Sequence, residues 1–436
     1  MINYGLNEKF IERMKKQLPQ KEWEAFFATY ALPPVKGVRL NPLKGDRYAL
    51  KSVLPFIGEP VLWEENGFYT KEEKVGASPM HFAGAFYSQE PSAMSVAPTL
   101  DVQKGERVLD LCSAPGGKAT QLAAAMQGTG ILVVNEPINS RAKILSQNIE
   151  RMGVRNAVVT SEMPETLAPK FIGYFDKILV DAPCSGEGMF RKNAAEALGE
   201  WSEENVALCA QRQAFILENA TKMLRVGGRL VYSTCTFSEE EDEGQVREYL
   251  RAHKQMRLIS QEKLYPHRVR GEGHFVALFE KVEQDENPVR IKEMQVWCSR
   301  AAEKAYREFE KSFFKQPFAR RLHEVNGVLY ELPENVFDFS SLQVLRVGIR
   351  LGEVKNGRFE PSHSLAACMR KEECLNVLDL SITDARVEKY LRGETVEWDG
   401  KNGWCVVFVE GYALGLGKTV NGVVKNHLPK GLRKVK

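Results

Sequence analysis

Two of the eight cysteines stand where a thiolate could do chemistry. Cys184 lies in Asp181-Ala-Pro-Cys-Ser-Gly-Glu-Gly-Met-Phe-Arg191 and Cys235 in Tyr232-Ser-Thr-Cys-Thr-Phe-Ser238. Each segment follows a strand-like run, Lys177 to Val180 and Arg229 to Ser233, so both sulfurs leave the carboxyl ends of strands among small polar residues. A lone cysteine is ordinarily a small core hydrophobe, and Cys209, Cys298, Cys368, Cys374 and Cys405 are read that way. The pair at 184 and 235 is placed instead to react as thiolates. Neither a Cys-x-x-Cys pair nor matching His spacing occurs, so no metal site is expected. The opening MINYGLNEKF lacks the apolar core of a secretion signal, so no disulfide framework is expected either.

A second chemical segment, Val108-Leu-Asp-Leu-Cys-Ser-Ala-Pro-Gly-Gly-Lys118, follows an apolar strand and opens a helix at the edge where open α/β sheets bind ligands. Gly116 and Gly117 let backbone approach a ligand, and the helix start offers free N–H groups. The spacing is neither that of a P-loop nor that of a dinucleotide fingerprint. Leu-Asp-Leu before a small-residue loop suits S-adenosylmethionine, with room for its amino-acid moiety and Asp110 for polar anchoring. Glu136, closing Ile131-Leu-Val-Val-Asn-Glu136, lies about twenty residues past the glycines, where a carboxylate accepts ribose hydroxyls.

Such loops need a sheet to hold them. From about 105 to 282, strand-like runs (107–111, 131–135, 157–160, 177–180, 229–233, 274–280) alternate with helical ones starting at Lys118, Asn139, about Val206 and Glu239. This alternation predicts an α/β fold with a parallel, doubly wound, Rossmann-like sheet. Ahead of it, Phe10 to Leu18 and Trp23 to Tyr30 read as helices and Val35 to Asn41 as extended, a small α/β module. The charged stretch from Val282 to Lys292 and a helix through Phe314 read as linker, and short strand-like runs such as Val344 to Gly352 and Trp404 to Val409 follow. The expected domains are 1–75, 76–283, 284–370 and 371–436. A chain of 436 residues accommodates about three domains. With 43% hydrophobic and 27% charged residues, it is not a disordered chain. No apolar run reaches the ~18 residues of a membrane span, so a soluble, cytosolic protein is expected.

In the order and spacing of Cys112-Ser-Ala-Pro-Gly-Gly-Lys118, Asp181-Ala-Pro-Cys-Ser-Gly186 and Ser233-Thr-Cys-Thr236, the chain resembles the Nop/Sun family of RNA cytosine-5 methyltransferases. The likeness includes Val38-Arg-Leu-Asn41, Tyr87-Ser-Gln-Glu-Pro-Ser92 and Gly273-His-Phe275. It is closest to the bacterial RsmF-type ribosomal RNA branch, through Pro361-Ser-His-Ser-Leu365 and Asn426-His-Leu-Pro-Lys-Gly431 as well. The resemblance implies a methyltransferase domain with C-terminal PUA-like modules. Its cofactor set is Cys112, Ser113, Ala114, Pro115, Gly116, Gly117, Lys118, Glu136, Arg141 and Asp181. It assigns the nucleophile to Cys235, which adds to cytosine C6 and makes C5 enamine-like, and product release to Cys184. DNA cytosine-5 methyltransferases use the Pro-Cys cysteine as nucleophile, so two cysteines favour RNA. Asp181 is expected at the cytosine N3/N4 edge. Lys118 is expected near the same site, either catalytic, lowering a thiolate pKa by its charge, or a helix-start residue facing solvent or the cofactor carboxylate.

The chain departs from the family at Glu162-Met163, leaving open which of the two meets the adenine, and at Glu241-Asp-Glu243 in place of Glu-Asn-Glu. Ser238 with Glu241 reads as a capping box. Arg191 reads either as a phosphate ligand or as a surface ion pair. Arg39 and Asn41 match an Arg-x-Asn motif whose alternative is strand-end packing. Net charge is only +3, but Lys418, Lys425, Lys430, Arg433, Lys434 and Lys436 crowd the end of the chain with no acid among them. The expected partner is ribosomal RNA or the 30S subunit, the target 16S rRNA near the decoding region, and the protein a monomer. A tRNA methyltransferase and a non-catalytic ribosome assembly factor are the alternatives.

Overall fold

The computed structural model describes residues 5–192, 194–283 and 286–434. The expected domain start at residue 284 and the basic Lys436 lie outside the described residues.

Six helices and eight strands position the site. The helices are α1 (Glu8–Gln17), α2 (Trp23–Ala28), α3 (Gly117–Met126), α4 (Asn139–Arg151), α5 (Glu203–Met223) and α6 (Glu243–Ala252). The strands are β1 (Arg107–Asp110), β2 (Ile131–Asn135), β3 (Ala157–Thr160), β4 (Phe175–Asp181), β5 (Leu224–Thr234), β6 (Met256–Leu264), β7 (His274–Lys281) and β8 (Val344–Val347). They form one sheet in the order β6-β7-β5-β4-β1-β2-β3-β8, in which β5, β4, β1, β2 and β3 are parallel to one another. Continuous apolar runs suit strands covered on both faces. Leu109, Ile178, Val180, Leu230 and Tyr232 belong to one core, and Val108, Leu132, Val134, Leu179 and Val231 to the other.

The sheet is not parallel throughout. β7 lies antiparallel between β5 and β6, because the connection 265–273 is shorter than the dozen or so residues of a crossover. β6 was not legible, since this edge strand is exposed over most of its length and has no clear apolar alternation. The run from Val344 to Gly352 divides. Its first half is β8, antiparallel to β3, and covers an edge that would otherwise be open. At Gly348 φ is +50° and a Cβ would collide with the Glu331 carbonyl, so the chain turns there. Ile349–Lys355 then joins a separate four-stranded sheet.

The two ends of the chain share a core. Val38, Leu40 and Phe86 of an N-terminal four-stranded sheet pack with Leu378 and Val407 of the C-terminal five-stranded one and with Val387 and Tyr390 of the helix Ala385–Leu391. The helices α1 and α2 instead join the loops that carry Cys184 and Cys235 through aromatic edges, with ring centroids 5.0 Å apart for Phe10 and Phe190 and 5.6 Å for Phe26 and Phe237. No helix among the described residues is long and apolar enough to cross a membrane.

Candidate active site

The strand order reverses between β1 and β4, and the loops leaving their carboxyl ends form the crevice where such sheets take ligands. Asp110 ends β1 fully buried, and neither of its carboxylate oxygens has a hydrogen-bond partner among the described residues. Burial, and then the negative charge of Asp181, push its carboxyl up to about 7. An orphaned buried carboxylate is costly unless something cationic or hydrogen-bonding meets it. The following loop is pinned by Ser113, whose N–H donates to the Asn135 carbonyl (2.9 Å) and whose hydroxyl donates to the Asp110 carbonyl (2.7 Å). Ala114 and Pro115 carry it to Gly116, where φ is +113° and the helix α3 begins. Cys112 is held as a thiol by burial and the carboxylates around it.

Glu136 follows β2 and is 2% exposed, with Oε1 accepting from the Ile138 N–H (3.0 Å). Arg141 reaches back over it, 3.5 Å from Oε2, and donates to the Ala114 carbonyl (3.2 Å). Glu162 Oε1 accepts from the Gln343 N–H (2.7 Å) just before β8, whereas Met163 is half exposed. The donor set therefore fits an S-adenosyl cofactor: an unpartnered carboxylate, a glycine turn, a second strand-end carboxylate and an apolar flank.

The two cysteine loops converge. Cys184 and Cys235, 51 positions apart, have sulfurs 3.3 Å from each other, and the Cys235 N–H donates to the Cys184 sulfur (3.3 Å). The hydrogen bond with Cys235, and then burial, push the Cys184 thiol well above its ordinary value. Lys118 comes from the first turn of α3 to bond Asp181 Oδ2 at 2.7 Å, while Ser233 donates to Oδ1 at 2.8 Å. Burial alone would raise the Asp181 carboxyl, but the Lys118 charge and His274 hold it well below the usual range. His274 Nε2 lies 3.7 Å from Asp181 Oδ1. Its only sequence signal is the Gly273-His-Phe275 motif.

Braces between the loops join residues far apart in sequence and carry no local sequence signal. Ser185 and Thr236 share a hydroxyl hydrogen bond (2.8 Å), and the Gly188 N–H donates to the Cys235 carbonyl (2.9 Å). Buried Glu187 accepts from the Phe237 N–H and from the Trp201 indole, both at 2.9 Å. Glu241 does not complete a capping box: it turns inward, and the Ser238 hydroxyl donates to Glu240 instead (2.8 Å).

Arg191 is neither a phosphate ligand nor a surface ion pair. It is buried against Glu272 (2.7 Å) and also donates to the Thr29 and Gly271 carbonyls. Arg191→Met should therefore destabilise the protein by about 3 kcal/mol, because it strands a buried carboxylate; the midpoint of thermal unfolding, compared with the double variant Arg191→Met/Glu272→Gln, measures this. Arg39 and Asn41 are packing residues. Arg39 donates to the Gly117 carbonyl (3.0 Å) and Thr120 (2.7 Å), and Asn41 to the Gly84 (2.8 Å) and Met152 (2.9 Å) carbonyls. In the basic terminal region Lys434 pairs with Glu388 (2.8 Å), while Lys418 sits over the Trp404 ring and opposite Lys425.

The family model described as 16S rRNA methyltransferase RsmB/F matches residues 97–280. Those for the RsmF N-terminal domain, first C-terminal domain and PUA domain match 6–91, 308–369 and 377–434. Among solved structures, a methyltransferase homologue from Pyrococcus horikoshii is 26% identical with a TM-score of 0.58, covering 64% of this chain and 97% of that one. NSun6 from Pyrococcus horikoshii, at 22% identity and TM-score 0.58, covers 65% of this chain and 100% of that one, a likeness of fold. Relatives named ribosomal RNA small subunit methyltransferase F are 33% identical in Vibrio cholerae, over 99% of this chain and 98% of the relative. In Shewanella piezotolerans the identity is 31%, with the same coverage. The likeness thus runs through all four matched regions and nearly the whole length, and the chain belongs to the ribosomal RNA small subunit methyltransferase F family.

Proposed function

We propose that this protein methylates cytosine C5 in small-subunit ribosomal RNA near the decoding region, through a covalent bond between the Cys235 sulfur and cytosine C6. The observation that carries the reading is the pair of thiols 3.3 Å apart beside the Asp181–Lys118 ion pair. Asp110, the Ser113 to Gly117 backbone, Glu136 and Arg141 would hold S-adenosylmethionine, with Ile138 and Met163 toward its adenine. When bound, the cofactor supplies an electrophilic methyl group on a sulfonium.

The chain's own residues handle the base. The Cys235 thiolate adds to C6, and the C5–C6 π pair moves onto C5, which becomes nucleophilic. Asp181, kept ionised by Lys118, accepts a hydrogen bond from the cytosine N4 amino group and orients the ring. After methylation, the C5 proton passes to the Cys184 sulfur. The C5–H pair restores the C5–C6 double bond, and the C6–S bond breaks with its electrons returning to Cys235. The Cys235 sulfur is the largest cause of the elevated Cys184 value. Bonding that sulfur to C6 removes this cause, so the Cys184 thiol gives up its proton to solvent more readily and stands as the thiolate that accepts the C5 proton. The N-terminal module (1–75) and the C-terminal module (371–436), with Lys418, Lys425 and Lys430, supply RNA contacts that offset the few kcal/mol of extruding a base.

The test is methyl transfer from labelled S-adenosylmethionine to 30S subunits, naked 16S rRNA and bulk tRNA in parallel, with 5-methylcytidine identified by mass spectrometry. Incorporation into ribosomal RNA or subunits is expected. Incorporation into tRNA alone, or none with cofactor bound, overturns the reading. Cofactor binding should also depend on pH. The Asp110 carboxyl, raised to about 7 in the free protein, is neutral below that pH and ionised above it. A cationic ligand favours the ionised form, so affinity should rise as pH increases from 6 to 8. Asp110→Asn should weaken binding and flatten the profile, as read by calorimetry.

A further inference from the structure

Behind the two thiols lies a buried polar unit that the chemistry above does not use. Glu241 is fully buried, and its Oε2 accepts from the Ser185 N–H (3.0 Å) and from Gln213 Nε2 (2.7 Å). The same Gln213 nitrogen donates to the Pro183 carbonyl (3.0 Å). The residues on either side of Cys184 are therefore held by one carboxylate–amide pair. That pair is itself fixed from β5, the strand that delivers Cys235. The Tyr232 hydroxyl, 2.9 Å from Gln213 Oε1, also meets the Glu241 carbonyl at 2.6 Å. Glu241, Gln213 and Tyr232 come from the nucleophile loop, α5 and β5, so the unit ties three elements to a single backbone turn.

We infer that Glu241 and Gln213 are positioning residues for Cys184, holding its backbone so that its sulfur stays beside Cys235 for the product-release step. The inference rests on the proposed role of Cys184 in release. A buried carboxyl is an expensive way to hold a loop, and burial raises this one to about 7. An apolar side chain at 241 would leave the Ser185 N–H and one Gln213 proton unpaired, which accounts for an acceptor at this place. Cys235 does not depend on the clamp to the same degree, since Gly188 and Glu187 brace its own loop. Loss of the clamp should therefore separate the two steps.

The experiment uses the full chain with 16S rRNA or 30S subunits, whichever accepts methyl groups. It reads single-turnover methyl transfer and the fraction of enzyme left as a covalent RNA adduct on denaturing gels. Glu241→Ala should keep single-turnover transfer within about 3-fold of the parent, slow multiple turnover by more than about 10-fold, and accumulate adduct. Glu241→Gln, which keeps an oxygen acceptor for Ser185, should restore turnover. Gln213→Ala carries the same expectation as Glu241→Ala and replaces it should that variant not fold. Methyl transfer and release falling in parallel, neither changing, or Glu241→Gln failing to rescue would each overturn the inference. Cys184→Ala is run alongside. If it forms no adduct, the release role of Cys184 fails; if it forms adduct while the folded Glu241 and Gln213 variants do not, only the clamp fails.

Discussion

Replacing Cys184 with alanine should turn the enzyme into one that methylates once and then remains bonded to its RNA, whereas Cys235→Ala should form no adduct and lose activity by at least about 10³-fold. The asymmetry follows from the positions of the two sulfurs. They lie 3.3 Å apart, so each is close enough to serve either face of one reaction. Cys184 is the thiol pushed well above its ordinary value, first by its hydrogen bond with Cys235 and then by burial. A group held as a thiol is a poor first nucleophile. In the proposed mechanism, addition and methylation without it still proceed through Cys235, but the C5 proton has no acceptor and the C6–S bond stays intact. A denaturing gel of labelled RNA with each variant, and mass spectrometry of the cross-linked peptide, measures this. Adduct with Cys235→Ala and none with Cys184→Ala would exchange the two roles.

Asp181→Asn should lower methyl transfer by about 10² to 10³-fold, the scale expected when a charge that acts on the reacting group is removed. The carboxylate is surrounded by Lys118 at 2.7 Å, the Ser233 hydroxyl at 2.8 Å and His274. All of this arrangement favours the ionised form against the cost of burial. Lys118→Met removes the largest of the opposing effects and leaves burial to raise the carboxyl. Activity that requires ionised Asp181 is present above its pKa and lost as pH falls through it. The acid limb of the rate profile should therefore move to higher pH in Lys118→Met than in the parent. Single-turnover rates across pH, on variants shown to be folded, test this. An unmoved acid limb would separate Lys118 from the ionisation of Asp181.

Much of the site was legible because its signals are local. Each motif is a strand end followed by a turn of small residues, and the short-range rules of strands, glycine turns and helix starts locate such segments without reference to the rest of the chain. The same rules placed Lys118 on the first turn of α3 and Glu136 after β2. Where they failed, the deciding partner was remote in sequence. Arg191 is charged and flanked by polar residues, which says nothing of Glu272 beneath it. Glu241 follows a serine at capping spacing, yet its hydrogen bonds run to Ser185 and Gln213. The strand β8 was read with the C-terminal modules because an apolar run does not say which sheet edge it will cover.

The sequence by itself determined the chemical types and their order along the chain: a cofactor turn after β1, two thiols after adjacent strands, and an acid and a lysine to accompany them. These depend on residue identity and on spacings of a few positions, which backbone sterics translate directly into strand, turn and helix. Only the tertiary structure decided what those groups touch. The 3.3 Å approach of two sulfurs 51 residues apart, the ion pair between α3 and the end of β4, and the clamp on the Cys184 loop all arise where separate segments meet. Such contacts are set by the packing of whole elements around shared cores, and a buried polar group finds its partner there or not at all.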